Sequence, residues 1–381
     1  MLIPLRRAVT VMPLGLRVAA VMYLCLRLPL LLLVAAVFNH PPYGLGQTGM
    51  PAHEPSFADA WLRWDSGWYL RIAEQGYDYI VPHAEDCQSS VAFYPLYPLL
   101  ARALSWSGMS TGASMLCVAN AATLLGLWGL HALCTMFVSP TAARNAVALA
   151  LLLPGSLFFT AGYSEGVFLC VAAWACVFFE RRALRPLALC TALAVVSRSH
   201  GIMLAGALGL GALLAHDVRR MAAITLGGTV SLTAHLGYQW RTFGEPLAFI
   251  KARACWGVSE GRAVARLSDY AAHAWRDALR ADVPAFLDLA SALWLLVSGM
   301  LVWRRFGARY GLFVLSILAT MLQAGQLWGM GRIAISAFPA FMWLGEWTAS
   351  GSRWRTRLLL ASCTVLLFDV AARFVHGSWV A

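Results

Sequence analysis

Hydrophobic residues in this chain come in long unbroken runs, not in the alternation of a half-buried strand. The runs fall at roughly 18–38, 113–138, 145–162, 166–179, 186–198, 201–215, 221–240, 286–303, 310–327, 333–348 and 357–374. About 20 apolar residues in a helix cross the hydrocarbon core of a bilayer. The pattern therefore predicts an all-α, polytopic integral membrane protein with about 11 transmembrane helices. The pair 186–198 and 201–215 also reads as one broken helix. The first run is too long for a signal-peptide core and has the wrong flanks, so it reads as an uncleaved span. Arginines supply the orientation. Arg6, Arg7 and Arg17 precede the first run. Arg144, then Arg181, Arg182 and Arg185, then Arg219 and Arg220, then Arg304, Arg305 and Arg309, then Arg353, Arg355 and Arg357 mark every second connection. Positive residues stay on the cytoplasmic side, which places the N-terminus inside and the C-terminus outside. Two long polar segments, 39–112 and 241–285, then face outward. No internal repeat or soluble domain is visible, so residues 1–381 read as a single transmembrane domain.

Within the first segment, 56–76 (SFADAWLRWDSGWYLRIAEQG) reads as a helix. Ser56 and Asp59 form a capping box, and Gly76 is a stop signal. At about 100° per residue, Trp61, Leu62, Trp68, Tyr69 and Ile72 fall within about 60° of Asp65, and Arg63 and Glu74 fall on the opposite side. Asp65 is the one ionisable group on that aromatic face, and such a helix is expected to lie flat on the membrane surface. A buried carboxylate needs a partner, and desolvation suits a carboxylate to general-base work. The alternative is an Asp that accepts a tryptophan N–H or caps a helix. The next stretch, 91–104 (VAFYPLYPLLARAL), predicts a second interfacial helix. Leu99, Leu100, Ala103 and Leu104 give it a short apolar stripe, and the helix, anchored by its aromatics, would also form a floor beneath Asp65.

Composition narrows the class. Of 381 residues, 60% are hydrophobic and 12% charged, against about 25% charged in soluble domains. Mean hydropathy is +0.66. A cytosolic enzyme, a secreted domain and a disordered chain are excluded. The net charge of +11 sits between the apolar runs, where it orients spans, so nucleic acid is not an expected partner. Lys251 is the one lysine among 29 basic residues, which points to a G+C-rich, bacterial coding sequence and hence to an inner membrane. Seven of nine cysteines lie in apolar runs; Cys87 and Cys255 lie in the two outer segments, where an oxidising compartment allows them to pair. No CxxC or Cys/His metal spacing occurs, and neither cofactor nor metal is expected.

The run WDSGWYLRIAEQGY (64–77) followed by AFYPLYPLL (92–100) resembles the first-loop signature of the PIG-V-like mannosyltransferases, GPI mannosyltransferase II and its bacterial relatives, within the GT-C glycosyltransferases. LPGSLFFTAGYSEGVFL (153–169), LAVVSRSHGIML (193–204), FGEPLAFIKARACW (243–256), GRIAISAFPAF (331–341) and the terminal WVA resemble further blocks of that family. The resemblance implies a GT-C-type fold with interfacial helices in the first outer loop. It implies transfer of a hexose, mannose being expected, from a polyprenyl-phosphate sugar to a hydroxyl of a lipid-linked or glycan acceptor. Transfer is expected on the extracytoplasmic face, with inversion. Asp65 matches the family's first-loop catalytic Asp and is the expected general base.

Such chemistry also needs positive charge for the departing phosphate and a groove for the prenyl chain. Arg332, Arg198 and His200 fall at outer ends of spans; arginine suits bidentate phosphate contact, and the alternative is snorkelling to lipid headgroups. Glu165, in Tyr163-Ser164-Glu165, is expected to meet a sugar or acceptor hydroxyl or to orient a cationic partner, or else to sit as a helix-N-terminal Glu favoured by the macrodipole. Tyr69 and Trp68 belong to the same substrate side. Segment 245–256, with Lys251 and Arg253, reads as a basic amphipathic membrane binder or as a lid with Trp256 against sugar or prenyl chain. Inside the runs, Asp369 and Arg373 are spaced to pair, and Arg27, His131 and His235 stand alone. The competing class is a transporter or lipid flippase, which usually shows repeats and midplane coupling residues; a non-catalytic scaffold would not need Asp65 on an aromatic face.

Overall fold

A computed structural model describes residues 13–38, 57–82, 87–256, 283–323, 327 and 329–380, together with 272 and 276. Among these residues all regular structure is helical. In order the helices are α1 (Leu14–Phe38), α2 (Ser66–Gln75), α3 (Leu96–Ser105), α4 (Thr111–Cys134), α5 (Pro140–Leu152), α6 (Glu165–Glu180), α7 (Leu184–Val195) and α8 (Ser199–Leu214). They continue as α9 (Val218–Phe243), α10 (Ala248–Lys251), α11 (Val283–Phe306), α12 (Ala308–Gln323), α13 (Met330–Ile333), α14 (Pro339–Ser350) and α15 (Arg353–Val375). Each apolar run contains a helix, although 145–162 and 333–348 are broken by the 3-10 turns Pro154–Phe159 and Ala334–Ser336. The stretch 186–215 is two helices, separated where Arg198 is extended (φ −162°).

Among the described residues, four helices are long and apolar enough to cross a membrane: Leu14–Val37, Thr111–Cys134, Phe286–Phe306 and Arg353–Val375. Others are short. The 13 residues of α5 extend about 20 Å, less than the roughly 30 Å hydrocarbon core, and a 3-10 turn, Pro154–Phe159, follows Leu153. Helix length thus does not turn eleven runs into eleven spans.

The helix starts follow local chemistry. Ser110 accepts from the Ala113 N–H at 3.3 Å at the head of α4. Ser139 caps α5, with Pro140 at the first position, where its missing N–H is harmless. Asp217 accepts from the Arg220 N–H at 3.1 Å at the head of α9. Between apolar helices the solvent gives no hydrophobic push, so close packing through small residues matters. A Cβ on Gly166 of α6 would lie 2.6 Å from the Ala119 carbonyl of α4 and 2.2 Å from Thr123 Oγ1. The α4–α6 contact is built on that missing carbon.

The bundle has two chemically different ends, joined by α6 over about 24 Å. At one end Arg305 pairs with Glu346 at 2.7 Å, Arg309 with Glu180 at 2.8 Å and Arg220 with Asp217 at 2.8 Å. These arginines belong to the connections read as cytoplasmic. Glu165, at the other end of α6, meets Arg198 and Arg332 instead. Between the ends the outer surface is apolar: Leu24 of α1 is 67% exposed and Val365 of α15 is 68% exposed. Such a surface suits lipid, and the chain is a membrane protein.

The first polar segment departs from the expected single helix. Asp59–Trp61 is a 3-10 turn, Trp64 takes a left-handed backbone (φ 56°), and α2 starts only at Ser66. Ser56 lies outside the described residues. Gly76 ends α2 as expected, at φ 87°. Arg63, expected to face solvent, is buried, because the break at Trp64 takes it off the α2 surface. The second interfacial helix, α3, packs against α2, with the Tyr97 ring edge-on to Tyr69 at 5.0 Å. Tyr97 and Ala101 are its buried face, and Leu99 and Leu100 are exposed. Cys87 and Cys255 form a disulfide that ties the two long polar segments together.

Two outcomes test this packing. Gly166→Ala is expected to force α4 and α6 apart and destabilise the protein by about 1–3 kcal/mol, read by thermal unfolding in detergent. Mass spectrometry of unreduced protein is expected to recover one Cys87–Cys255 linked peptide pair, and two free thiols there would contradict the linkage.

Candidate active site

Asp65 occupies the cap position of α2. Its carbonyl accepts from the Trp68 N–H at 3.1 Å, but its carboxylate does not cap the helix. The indole N–H groups of Trp61 and Trp64 have no hydrogen-bond partner. Instead Oδ2 accepts from Arg332 Nη1 at 2.6 Å, and both side chains are mostly buried, at 13% and 16% exposure.

Several features carry Arg332 to that position. Gly329, in the left-handed region at φ 78°, precedes α13. The Gly331 N–H donates to Asp288 Oδ1 of α11 at 3.0 Å. A Cβ on Gly155 would lie 2.2 Å from the Gly331 carbonyl, so only glycine lets the 154–159 turn seat against α13. The guanidinium then lies 5.2 Å from the Tyr163 ring centre and 5.6 Å from that of Phe158, within cation–π range.

Glu165 opens α6 with a side chain that has no exposure. Its Oε1 is 2.6 Å from Arg198 Nη1 and 3.2 Å from Arg332 Nε. These are close ion pairs whose N–H bonds do not aim squarely at the oxygen. Arg198 Nη1 also donates to Ser164 Oγ at 3.0 Å, and the Tyr69 hydroxyl lies 2.8 Å from that same Oγ. Asp65, Arg332, Glu165 and Arg198 thus form a chain of alternating charge with no net sum. Burial works against the charge on Arg332, but the Asp65 and Glu165 carboxylates outweigh it and hold this guanidinium above its usual range. Burial pushes the Tyr69 phenol up to about 12. It also pushes Tyr163 well above its usual range, with the Asp65 charge adding. Both phenols stay protonated at neutral pH and are donors, not bases; Tyr163 donates to the Arg63 carbonyl at 2.9 Å.

Five expected site residues therefore come together: Asp65, Arg332, Arg198, Glu165 and Tyr69. Of the readings open for Glu165, the structure realises the cationic partner and the helix N-terminus, since it opens α6 and faces Arg198 and Arg332; a fully buried carboxylate there has no surface left for a sugar hydroxyl. His200 lies in the first turn of α8, buried, its ring 6.0 Å from Phe168, with no hydrogen bond at Nδ1. Trp68 stacks on Phe93 at 6.0 Å. Trp256 ends a 3-10 turn, Ala252–Trp256, and its side chain lies outside the described residues. Sequence reasoning missed Ser164, Tyr163 and Asp288. The signal for Asp288 was present, since an acid inside an apolar run is a functional hypothesis by default. Elsewhere Asp369 and Arg373 pair at 2.8 Å. Arg27 donates to the Leu151 and Ser156 carbonyls at 3.1 and 2.8 Å, which satisfies the end of α5. Among the described residues no cluster of three His, Cys, Asp or Glu side chains is placed to hold a metal ion.

Removing Glu165 would leave two guanidiniums facing each other. Glu165→Ala is expected to destabilise by about 3–5 kcal/mol, the usual effect of orphaning buried charge, read by thermal unfolding in detergent.

No curated protein gives a sequence match to the chain. Among solved structures, the apo oligosaccharyltransferase of Archaeoglobus fulgidus superposes with a TM-score of 0.47 at 13% identity, covering 94% of this chain and 56% of that one. The same archaeal enzyme, AglB, in complex with an inhibitory peptide and a dolichol-phosphate gives a TM-score of 0.43 at 12% identity over 94% and 56%. This chain thus spans a little over half the length of that enzyme. The resemblance carried by the first-loop motif is borne out directly: the family model described as Mannosyltransferase (PIG-V) matches this chain over residues 35–215.

Proposed function

We propose that this chain is a membrane glycosyltransferase that moves a hexose, with mannose expected, from a polyprenyl-phosphate sugar to a hydroxyl of a lipid-linked or glycan acceptor. The family match supports glycosyl transfer. The observation that carries the mechanism is the Asp65–Arg332 contact of 2.6 Å, which sets a carboxylate beside a cation at one end of the bundle. In a single displacement the acceptor oxygen bonds to the anomeric carbon and its proton passes to Asp65. The bond from that carbon to the phosphate oxygen breaks, and its electron pair leaves with the phosphate. One displacement inverts the centre. The leaving phosphate needs no proton donor, only positive charge, which Arg332 and Arg198 supply. General-base help of this kind is worth about 10²–10⁴-fold.

The remaining residues take supporting parts in this reading. His200, which burial and the neighbouring Arg198 charge hold well below the usual imidazole range, stands beside the arginines as a neutral hydrogen-bonding group, and Tyr69 with Ser164 steadies Arg198. Trp68 and Trp256 serve the sugar and prenyl chain. Three observations favour an extracytoplasmic site with a cytoplasmic N-terminus, in a bacterial inner membrane. The arginine-rich connections gather at the opposite end, the outer segments 39–112 and 241–285 are joined by a disulfide, and such bonds persist in oxidising compartments. Nothing in the molecule favours the transporter or flippase alternative, since the charged chain sits at a helix end.

The decisive assay supplies purified protein with radiolabelled polyprenyl-phosphate mannose and host membrane extract. Wild type is expected to label an acceptor, and Asp65→Asn to fall by at least about 10²-fold. Equal labelling by both proteins would remove Asp65 from the chemistry.

A further inference from the structure

We propose that Arg332 is a shared partner: it holds Asp65 in the resting protein and passes to the donor's phosphate when that lipid enters, so that donor arrival frees the base. This rests on the polyprenyl-phosphate reading above.

The argument starts from what each cation has left to offer. Arg332 uses Nη1 on Asp65 and turns Nε toward Glu165, while its face packs on Tyr163 and Phe158. Its Nη2 makes no hydrogen bond among the described residues. Arg198 spends Nη1 on Glu165 and Ser164, and its Nη2 and Nε make none. Both guanidiniums are brought to the same Glu165 oxygen, so their unspent nitrogens belong to one neighbourhood. A phosphate suits paired guanidinium edges.

Its arrival changes the local charge. Two cations would then face three anions: Asp65, Glu165 and the phosphate. Glu165 cannot give way, because its side chain has no exposure and leaving it unpaired in the interior is costly. Asp65 can. It sits at the rim with 13% exposure, and its Oδ1 makes no hydrogen bond among the described residues. The Oδ2 that Arg332 occupies is the one that must be vacated before the whole carboxylate can face an acceptor hydroxyl. Glu165 is accordingly a positioning residue, and the Asp65–Arg332 pair is the element that yields. The expected kinetic order is donor first.

The test reads binding, not turnover. Sugar-free undecaprenyl phosphate is titrated into purified full-length protein in nanodiscs, with intrinsic tryptophan fluorescence as the signal. A double-mutant cycle compares wild type, Asp65→Asn, Arg332→Gln and the pair. Asp65→Asn is expected to bind about tenfold more tightly than wild type, within the range of couplings between contacting residues. That gain is expected to vanish in the Arg332→Gln background, which by itself binds more weakly. Two results overturn the proposal while leaving the donor reading intact: no gain from Asp65→Asn, or the same gain in both backgrounds, as a general charge effect would give. A wild type that binds no polyprenyl phosphate overturns the donor reading and this coupling together. Thermal unfolding checks that each variant is folded. Arg332→Lys, which keeps the charge and loses the fork, provides a milder cycle in which the gain is expected to shrink.

Discussion

One carboxylate with no access to water governs the polar end of this molecule. Glu165 begins α6 inside the bundle, and its charge has to be met there by other charges. Arg198 reaches it from the break between α7 and α8, and Arg332 reaches it from α13. Three segments distant in sequence are thereby fixed to one oxygen. Asp65 joins at the far side of Arg332, so the position of the first-loop carboxylate depends on the same anchor. Tyr163 and Phe158 press on the Arg332 face, and the missing side chain at Gly155 lets the backbone behind them close up.

The two ends of the bundle use charge in different ways. Where Arg305 meets Glu346, both side chains are substantially exposed, at 46% and 34%. A pair of that kind contributes little to stability, and its arginine is better understood as an orientation signal. At the Glu165 end the same residue types are mostly dry, with Glu165 fully buried between two guanidiniums. Buried ion pairs are often no more stable than apolar replacements of the same shape. Their presence in a protein whose remaining surface is apolar argues for a use other than holding the fold.

Much of the site could be read along the chain, and the reasons for the failures are specific. Asp65, Tyr69 and Ile72 do share a buried face, because they lie within α2 or at its cap, where helical periodicity holds. Arg63 was misjudged because the periodicity was carried across Trp64, whose left-handed backbone no propensity argument would anticipate in a tryptophan. Which side of α3 meets α2 was not legible either: Tyr97 and Ala101 are buried and Leu99 and Leu100 face outward, because hydrophobicity in a membrane protein marks the lipid side as readily as the core. Glu165 stood out as an acid at a membrane boundary, but nothing along the chain said whether it faced a substrate or two arginines.

The sequence by itself determined the class of molecule, the places where helices run, the side bearing the arginines and the candidacy of Asp65, because each of these follows from composition or from spacing within one segment. Only the tertiary structure decided which cation each acid meets. The Asp65 and Arg332 side chains are 267 residues apart. Their contact depends on how α2, α6, α11 and α13 pack, through small residues and backbone carbonyls whose fit has no periodic signature in the chain.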